Sequence, residues 1–189
     1  IGAYPASICV SINDQVVHGL PNTKIFLREG DIISIDVGAI YRDICTDVAR
    51  TYAVGKISKE AEDLINTTRE CLSRAIKIVK PGVNIGEIGK EVQKIAESRG
   101  FGVVRELVGH GIGSKVHLPP QIPNFGNGSL GPVMVEGMAL AIEPMLTADD
   151  YHVRTENDGW TIVTRDGSLA AHFEDTVVIE KGKATVVTR

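Results

Sequence analysis

Cysteine, long apolar runs, low-complexity tracts and any excess of one charge are all scarce in this sequence. Its three cysteines, Cys9, Cys45 and Cys71, are odd in number, widely spaced and outside any Cys-x-x-Cys pair. That spacing suits free thiols in a reducing compartment better than a disulfide framework, so a cytoplasmic setting is expected. No apolar stretch is long enough to span a bilayer, which removes membrane proteins built on helical spans from consideration. Lys and Arg total 20 against 24 Asp and Glu, for a net charge of −4. A basic stripe of the kind nucleic-acid binding demands is missing, and DNA or RNA is not an expected partner. Neither a Met nor a signal peptide precedes Ile1, which reads as a chain trimmed at its N-terminus. What is present is an ordinary globular balance, 43% hydrophobic over 189 residues, enough for one domain (residues 1–189) to bury a core without disulfides.

The apolar pattern changes period along the chain. Ile8 to Ile12 and Gln15 to Val17 read as short strands joined at the turn-forming Asn13-Asp14, a hairpin that delivers His18 at its end. Asp31 to Val37 and Ile44 to Val54 read as antiparallel neighbours. From Ser58 to Lys80 the period becomes helical: Ala61, Leu64, Ile65, Leu72, Ala75, Ile76 and Val79 share one face, with Ser58 as N-cap and Pro81-Gly82 as the stop. A second helix follows, with Asn84 and Glu87 in a capping arrangement, Ile88, Val92, Ile95 and Ala96 as its buried stripe, and Gly100 as its end. Beyond Phe101 strands and Gly/Pro-rich loops return, and Pro119, Pro120 and Pro123 forbid a helix near His117.

A weak internal repeat runs across these elements. Glu29-Gly30, four residues, then Ile35-Asp36 is matched by Glu136-Gly137, four residues, then Ile142-Glu143. Asp47 and Glu174 each stand eight residues before a Gly-Lys pair, Gly55-Lys56 and Gly182-Lys183. A duplicated half predicts pseudo-twofold symmetry with paired acids meeting near the axis.

Those acids are the anomalous residues. Asp36 interrupts the apolar run Ile32 to Val37, where a buried carboxylate is costly unless paired or metal-bound; the plain alternative is a turn at Asp36-Val37-Gly38. For Asp47 the plain alternative is an ion pair with Arg50 or Arg42, and for Glu174 a solvated strand edge. Glu143 follows Met138 to Ile142, too apolar to tolerate an unpartnered acid, and Pro144 ends the strand behind it. Four acids converging from strands require a cation, and an added imidazole shifts the preference from hard ions toward Mn, Fe, Co or Zn. His110, inside Gly109-His110-Gly111-Ile112-Gly113, is the candidate imidazole, since flanking glycines let the backbone approach a site closely. The segment lacks the spacing of a nucleotide-binding loop. Spacing alone leaves His18 and His117 open between surface, core and site.

Taken in order, Tyr4-Pro5 to Cys9, Ser11-Ile12-Asn13, His18-Gly19-Leu20-Pro21, Ile35-Asp36-Val37, Asp47, Gly109-His110-Gly111-Ile112-Gly113, Ile142-Glu143-Pro144-Met145, Asp158-Gly159-Trp160-Thr161 and His172-Phe173-Glu174-Asp175-Thr176 resemble the type I methionine aminopeptidases over essentially the whole chain. The span from His117 to Glu143 is too short for the helical insertion of type II. The resemblance implies an α/β (α+β) fold, the pseudo-twofold pita-bread sandwich, an antiparallel sheet with helices on its outer face. It implies two divalent metal ions (Mn, Fe, Co or Zn) held by Asp36, Asp47, His110, Glu143 and Glu174, with Asp47 and Glu174 shared between them. It further implies catalytic roles for Glu143, His117 and His18, and substrate contacts from His18, His117, Tyr4, Cys9 and Trp160. Two departures stand out: Val116 and Leu118-Pro119-Pro120 stand where the family usually has an aromatic residue before His117 and acids after it, and the N-terminal part of the family domain reads as absent before Ile1.

The activity implied is removal of the initiator methionine from nascent proteins and peptides, preferentially before a small second residue. The partners implied are the N-terminal Met of nascent polypeptides and, transiently, the ribosome, met by a monomer with no membrane or nucleic-acid attachment. Two rivals remain: a proline-directed aminopeptidase or prolidase, which shares the fold and metal set, and a non-catalytic pita-bread binding protein. The retained ligands disfavour the second rival. Asp158-Gly159-Trp160 and His18-Gly19-Leu20-Pro21 favour methionine release over the first.

Overall fold

The computed structural model describes residues 4–189. In chain order the elements are β1 (Cys9–Ile12), β2 (Gln15–Val17), β3 (Ile32–Tyr41), β4 (Ile44–Ala53), α1 (Lys59–Ile78), α2 (Gly86–Ser98), β5 (Gly102–Val103), β6 (Gly109–Gly111) and β7 (Leu118–Ile122). They continue as β8 (Ala139–Ile142), β9 (Met145–Thr147), β10 (Val153–Thr155), β11 (Ile162–Thr164), β12 (Ala170–His172), β13 (Asp175–Glu180) and β14 (Lys183–Val186). Two antiparallel pairs carry the acids. In the first half β3 pairs with β4, with Asp36 opposite Ala49 and Gly38 opposite Asp47. In the second half β8 pairs with β13, with Ile142 opposite Asp175.

The repeat read from sequence has a structural meaning. Gly30 and Gly137 both adopt positive φ, 102° and 90°, just before their strands. Each then donates its N–H across its hairpin, Gly30 to the Val54 carbonyl at 3.0 Å and Gly137 to that of Ile179 at 2.9 Å. Only glycine takes such a φ without strain, which is why a Glu-Gly pair opens both halves. The halves are stitched together at Ala49 and Glu174: the Glu174 N–H donates to the Ala49 carbonyl at 2.9 Å and the Ala49 N–H returns the bond at 3.4 Å. This is the paired-half arrangement that the repeat predicts.

Helices α1 and α2 pack on each other and on one side of the strands, α1 against β8, β9 and β12, α2 against β5 and β7. Between them lies the main core, with Leu64, Leu72, Ile88 and Val92 meeting Ile142, Leu146 and Ile179. Each such fully buried aliphatic side chain contributes about 1.5–3 kcal/mol. The Ser58 side chain caps α1 by accepting the Ala61 N–H at 3.1 Å. Gly100, at φ 82°, ends α2: its N–H bonds the Glu97 carbonyl and that of Phe101 reaches Ala96, the 6→1 and 5→2 pair of a Schellman motif.

Three local expectations differ. First, β1 and β2 do not form a two-stranded ladder. β1 joins β3 and β2 joins β11, in separate sheets. The turn between them survives, but Asn13 (φ 55°) is tied by its side chain to Asp31 and to the Ile32 N–H, so it anchors the start of β3. Second, Asn84 and Glu87 form no capping box. Asn84 Oδ1 accepts the Gly86 N–H at 2.9 Å, Ile85 occupies the cap position, and Glu87 pairs with Lys90. Third, β3 runs on past the expected end at Val37 to Tyr41, which also removes the turn that stood as the plain alternative at Asp36-Val37-Gly38. Pro119 and Pro120 lie in β7, the edge strand of its sheet, where a missing N–H disrupts least.

Replacing Ser58 with Ala removes the α1 cap at a site remote from the acids. A loss of about 1 kcal/mol is expected, read as a melting midpoint lower by about 2–4 °C for a chain of this length. An unchanged midpoint would remove the cap from the account of α1.

Candidate metal centre

Strand β4 buries alternate residues, Cys45, Asp47, Ala49 and Thr51, so Asp47 belongs to the inward series and is 9% exposed. Asp36 lies on the same face of the neighbouring strand, opposite Ala49. Gly38, opposite Asp47, presents no side chain to cover that carboxylate. Glu174, 2% exposed, follows β12 and opens onto the same face through its bridge to Ala49. Glu143 arrives from the end of β8, ahead of Pro144. The plain alternatives fail for two acids. Arg50 pairs with the buried Asp175 at 2.5 Å and not with Asp47, while Arg42 stacks on Tyr41. Glu174 is buried, not a solvated edge residue.

His110 sits at the centre of β6, and its two glycines are demanded by packing. A Cβ on Gly109 would stand 2.5 Å from the Ala141 carbonyl, and one on Gly111 would collide with the backbone of Pro119. His110 Nδ1 lies 2.9 Å from the Gly111 carbonyl, which assigns the proton to Nδ1 and leaves the Nε2 lone pair facing inward. Nε2 then stands 3.5 Å from Glu143 Oε1. One donor atom each from Asp47, His110 and Glu174 lies within 4.8 Å of the others.

Two connected cavities meet here. One, about 270 Å³, is lined by Asp36, Asp47, His110, Glu143 and Glu174 together with Tyr4, Cys9, Val116 and Trp160. The other, about 500 Å³, is lined by Leu107, Gly109, Leu118, Pro119 and Met145. His18, His110, His117 and Glu143 border both. Tyr4 donates its hydroxyl to the Gly19 carbonyl at 2.8 Å and meets the Trp160 ring edge-on at 5.3 Å. Trp160 is fixed by Asp158, whose Oδ1 accepts the N–H groups of Trp160 and Thr161, each at 2.8 Å. Cys9 lies opposite Asp36 across the β1–β3 ladder, and burial, with the negative charge of Asp36, pushes its thiol up to about 12. His18 holds a left-handed backbone, φ 57°, and burial holds its imidazole below the usual histidine value. His117 is exposed, with its ring centroid 4.4 Å from that of His110.

The electrostatics fit a cation site. Burial, then repulsion from Asp47, pushes Glu143 up to about 8, against the opposing pull of His110. Asp36 rises to about 7, chiefly through burial and partly offset by His172. Glu174 is raised well above the ordinary carboxylate range by burial and by Glu143, Asp47 and Asp36. These acids cannot all ionise side by side without a compensating positive charge. Buried carboxylates with an inward imidazole nitrogen suit a divalent ion of the Mn, Fe, Co or Zn kind.

One residue at the site was not singled out from sequence. His172 is 2% exposed, and its Nε2 stands 3.6 Å from Glu143 Oε2. Its signal was available: a lone imidazole inside the apolar run Leu169 to Phe173, two residues before Glu174.

Fold and site define a metallopeptidase of the pita-bread class. The model of metallopeptidase family M24 matches residues 2–181. The methionine aminopeptidase of Clostridium acetobutylicum is 48% identical over 99% of this chain and 75% of its own length. Methionine aminopeptidase 1 of Bacillus subtilis is 44% identical over 98% of the chain and 75% of its own length. The crystal structure of methionine aminopeptidase from Thermotoga maritima superposes with a TM-score of 0.95 at 47% identity, covering 96% of this chain and 73% of that one. A prolidase from Pyrococcus furiosus, at 24% identity and a TM-score of 0.78, covers 97% of this chain and 49% of that one, and shares the fold. The chain belongs to metallopeptidase family M24 and, within it, to the methionine aminopeptidases.

The raised carboxylates make a pH prediction for metal-free protein. In the unfolded chain Asp36 and Glu143 ionise near 3.8 and 4.5, in the fold near about 7 and about 8, so the fold holds extra protons in between. Stability is then full below the lower values and lost as pH rises through the upper ones. The melting midpoint of chelated protein should fall from about pH 5 to about pH 8, and Mn(II) should flatten that slope. A midpoint that is flat or rising over this window without metal would contradict the assigned electrostatics.

Proposed function

We propose that this chain is a catalytic domain that removes the initiator methionine from nascent polypeptides, preferentially before a small second residue, using two divalent ions. The observation carrying this reading is the convergence of Asp36, Asp47, His110, Glu143 and Glu174 on one cavity that also contains Tyr4, Cys9 and Trp160. The five would hold the ions. Ions held there supply Lewis-acid polarisation of the scissile carbonyl and lower the pKa of a water from about 16 toward about 7.

The remaining steps belong to side chains. The methionine side chain enters the compartment of Tyr4, Cys9, Val116 and Trp160, where a thioether gains favourable contact with aromatic edges. Val116 leaves this compartment aliphatic on one side. His117, exposed at the junction of the two cavities, donates a hydrogen bond to the carbonyl oxygen as negative charge develops on it. Glu143, at the junction of the two cavities, takes the proton of the attacking water and passes it to the leaving nitrogen. His18, kept neutral by burial, hydrogen-bonds that nitrogen. The peptide beyond the scissile bond runs into the larger cavity along Leu107, Leu118 and Pro119. The free α-amino group, anchored among the acids, restricts cleavage to the terminal residue.

The reading sets the enzyme in the cytoplasm, where nascent chains emerge; Cys9, Cys45 and Cys71 are all unpaired thiols, and no described helix is long and apolar enough to cross a membrane. A monomer in transient contact with the ribosome is the form in which it would meet that substrate.

The test is release of Met from Met-Ala-Ser against cleavage of Ala-Pro in one metal-reconstituted preparation, with Glu143→Gln in parallel. Met release should dominate, and the variant should lose roughly 10² to 10⁴ in kcat. Preferential cleavage of the proline peptide would transfer the chain to the prolidase reading. Near-normal kcat in Glu143→Gln would remove Glu143 from the chemistry.

A further inference from the structure

His172 is a titratable side chain in the acid cage that the mechanism above leaves unused. It closes β12, and its backbone is held on both sides by one hydroxyl. Thr51 Oγ1 accepts the His172 N–H and also approaches its carbonyl oxygen, each at 2.9 Å, while Ser34 Oγ lies 2.8 Å from Thr51 Oγ1. This anchoring fixes the backbone from which the buried ring projects.

Neither ring nitrogen of His172 has a hydrogen-bond partner among the described residues, although both are buried. A buried polar group left unmatched costs about 1–3 kcal/mol. Retention of an imidazole here therefore calls for a partner other than the surrounding protein. The direction of that partner is set by Glu143: its Oε1 faces His110 Nε2 at 3.5 Å, and its Oε2 faces His172 Nε2 at 3.6 Å. His110 converges with Asp47 and Glu174 on one point. His172 stands outside that group, across Glu143 from His110, where the charges of Asp36 and Asp47 act on it.

We propose that His172 is a metal ligand, so that the dinuclear centre contains two histidine nitrogens, one from His110 and one from His172. The proposal rests on the dinuclear reading of the site. An added nitrogen donor on an otherwise carboxylate-bound ion shifts its preference from Mn(II) toward Co(II) or Zn(II). It also accounts for the unmatched ring atoms, since a ligating nitrogen is satisfied by the ion and the other is left to an ordered water or to the ion's own surroundings.

The test uses Co(II) as the probe on the full chain. Cobalt uptake is measured first, and X-ray absorption of the loaded protein then counts coordinated imidazoles. The wild type should take up two cobalt ions with about one imidazole per cobalt, and His172→Gln should fall to about half. Calorimetric titration of His172→Gln should show one of the two ions bound at least about 10-fold more weakly. About half an imidazole per cobalt in a wild type carrying both ions would overturn the ligand role of His172 while leaving the dinuclear centre intact. Uptake of fewer than two ions by the wild type would overturn the dinuclear reading and the proposal with it. Should the variant fail to fold, the wild-type count alone decides.

Discussion

Four carboxylates brought together in a poorly solvated cleft repel one another, and the rest of the molecule is arranged around that fact. Burial and mutual charge drive Asp36, Glu143 and Glu174 upward together. Such a cluster is tolerable in two states: partly protonated, or neutralised by cations. The first makes the apo fold depend on pH. The second turns an electrostatic cost into binding free energy for divalent ions, because whatever binds the native state alone stabilises it.

Placing the acids requires a scaffold that does not yield to the repulsion. Two hairpins opened by Gly30 and Gly137 supply it, joined by the reciprocal backbone bonds of Ala49 and Glu174. Behind that junction Asp175, fully buried, is matched by Arg50, Arg189 and Thr188. Arg50 also donates to the Ala49 and Glu174 carbonyls, so one guanidinium fastens both halves directly behind the site. Removing one member of such a buried pair typically costs about 3–5 kcal/mol, and here the damage would reach the position of Glu174. Function and stability thus share the same few residues.

Much of this is legible in the sequence. Ser58, Gly100 and the Gly109-His110-Gly111 segment announce themselves because their signals are local: a cap, a left-handed stop, and glycines that packing demands. The anomalous acids were legible because charge inside apolar strands has few explanations. What escaped depends on partners remote in sequence. The Arg50–Asp175 pair spans 125 residues, so Arg50 could equally have been assigned to its neighbour Asp47. The arms at Asn13-Asp14 look like a hairpin until β3 and β11 claim them. His172 stands out locally as a lone imidazole in an apolar run, but its place opposite Glu143, 29 residues away in sequence, emerges only in the fold.

The central claim is that these carboxylates exist to hold catalytic cations, and activity after metal removal addresses it most directly. Protein stripped by a chelator, shown by elemental analysis to be metal-free, and assayed for release of Met from Met-Ala-Ser should be inactive, and addition of Mn(II) or Co(II) should restore turnover. Full turnover in the metal-free preparation would contradict the account.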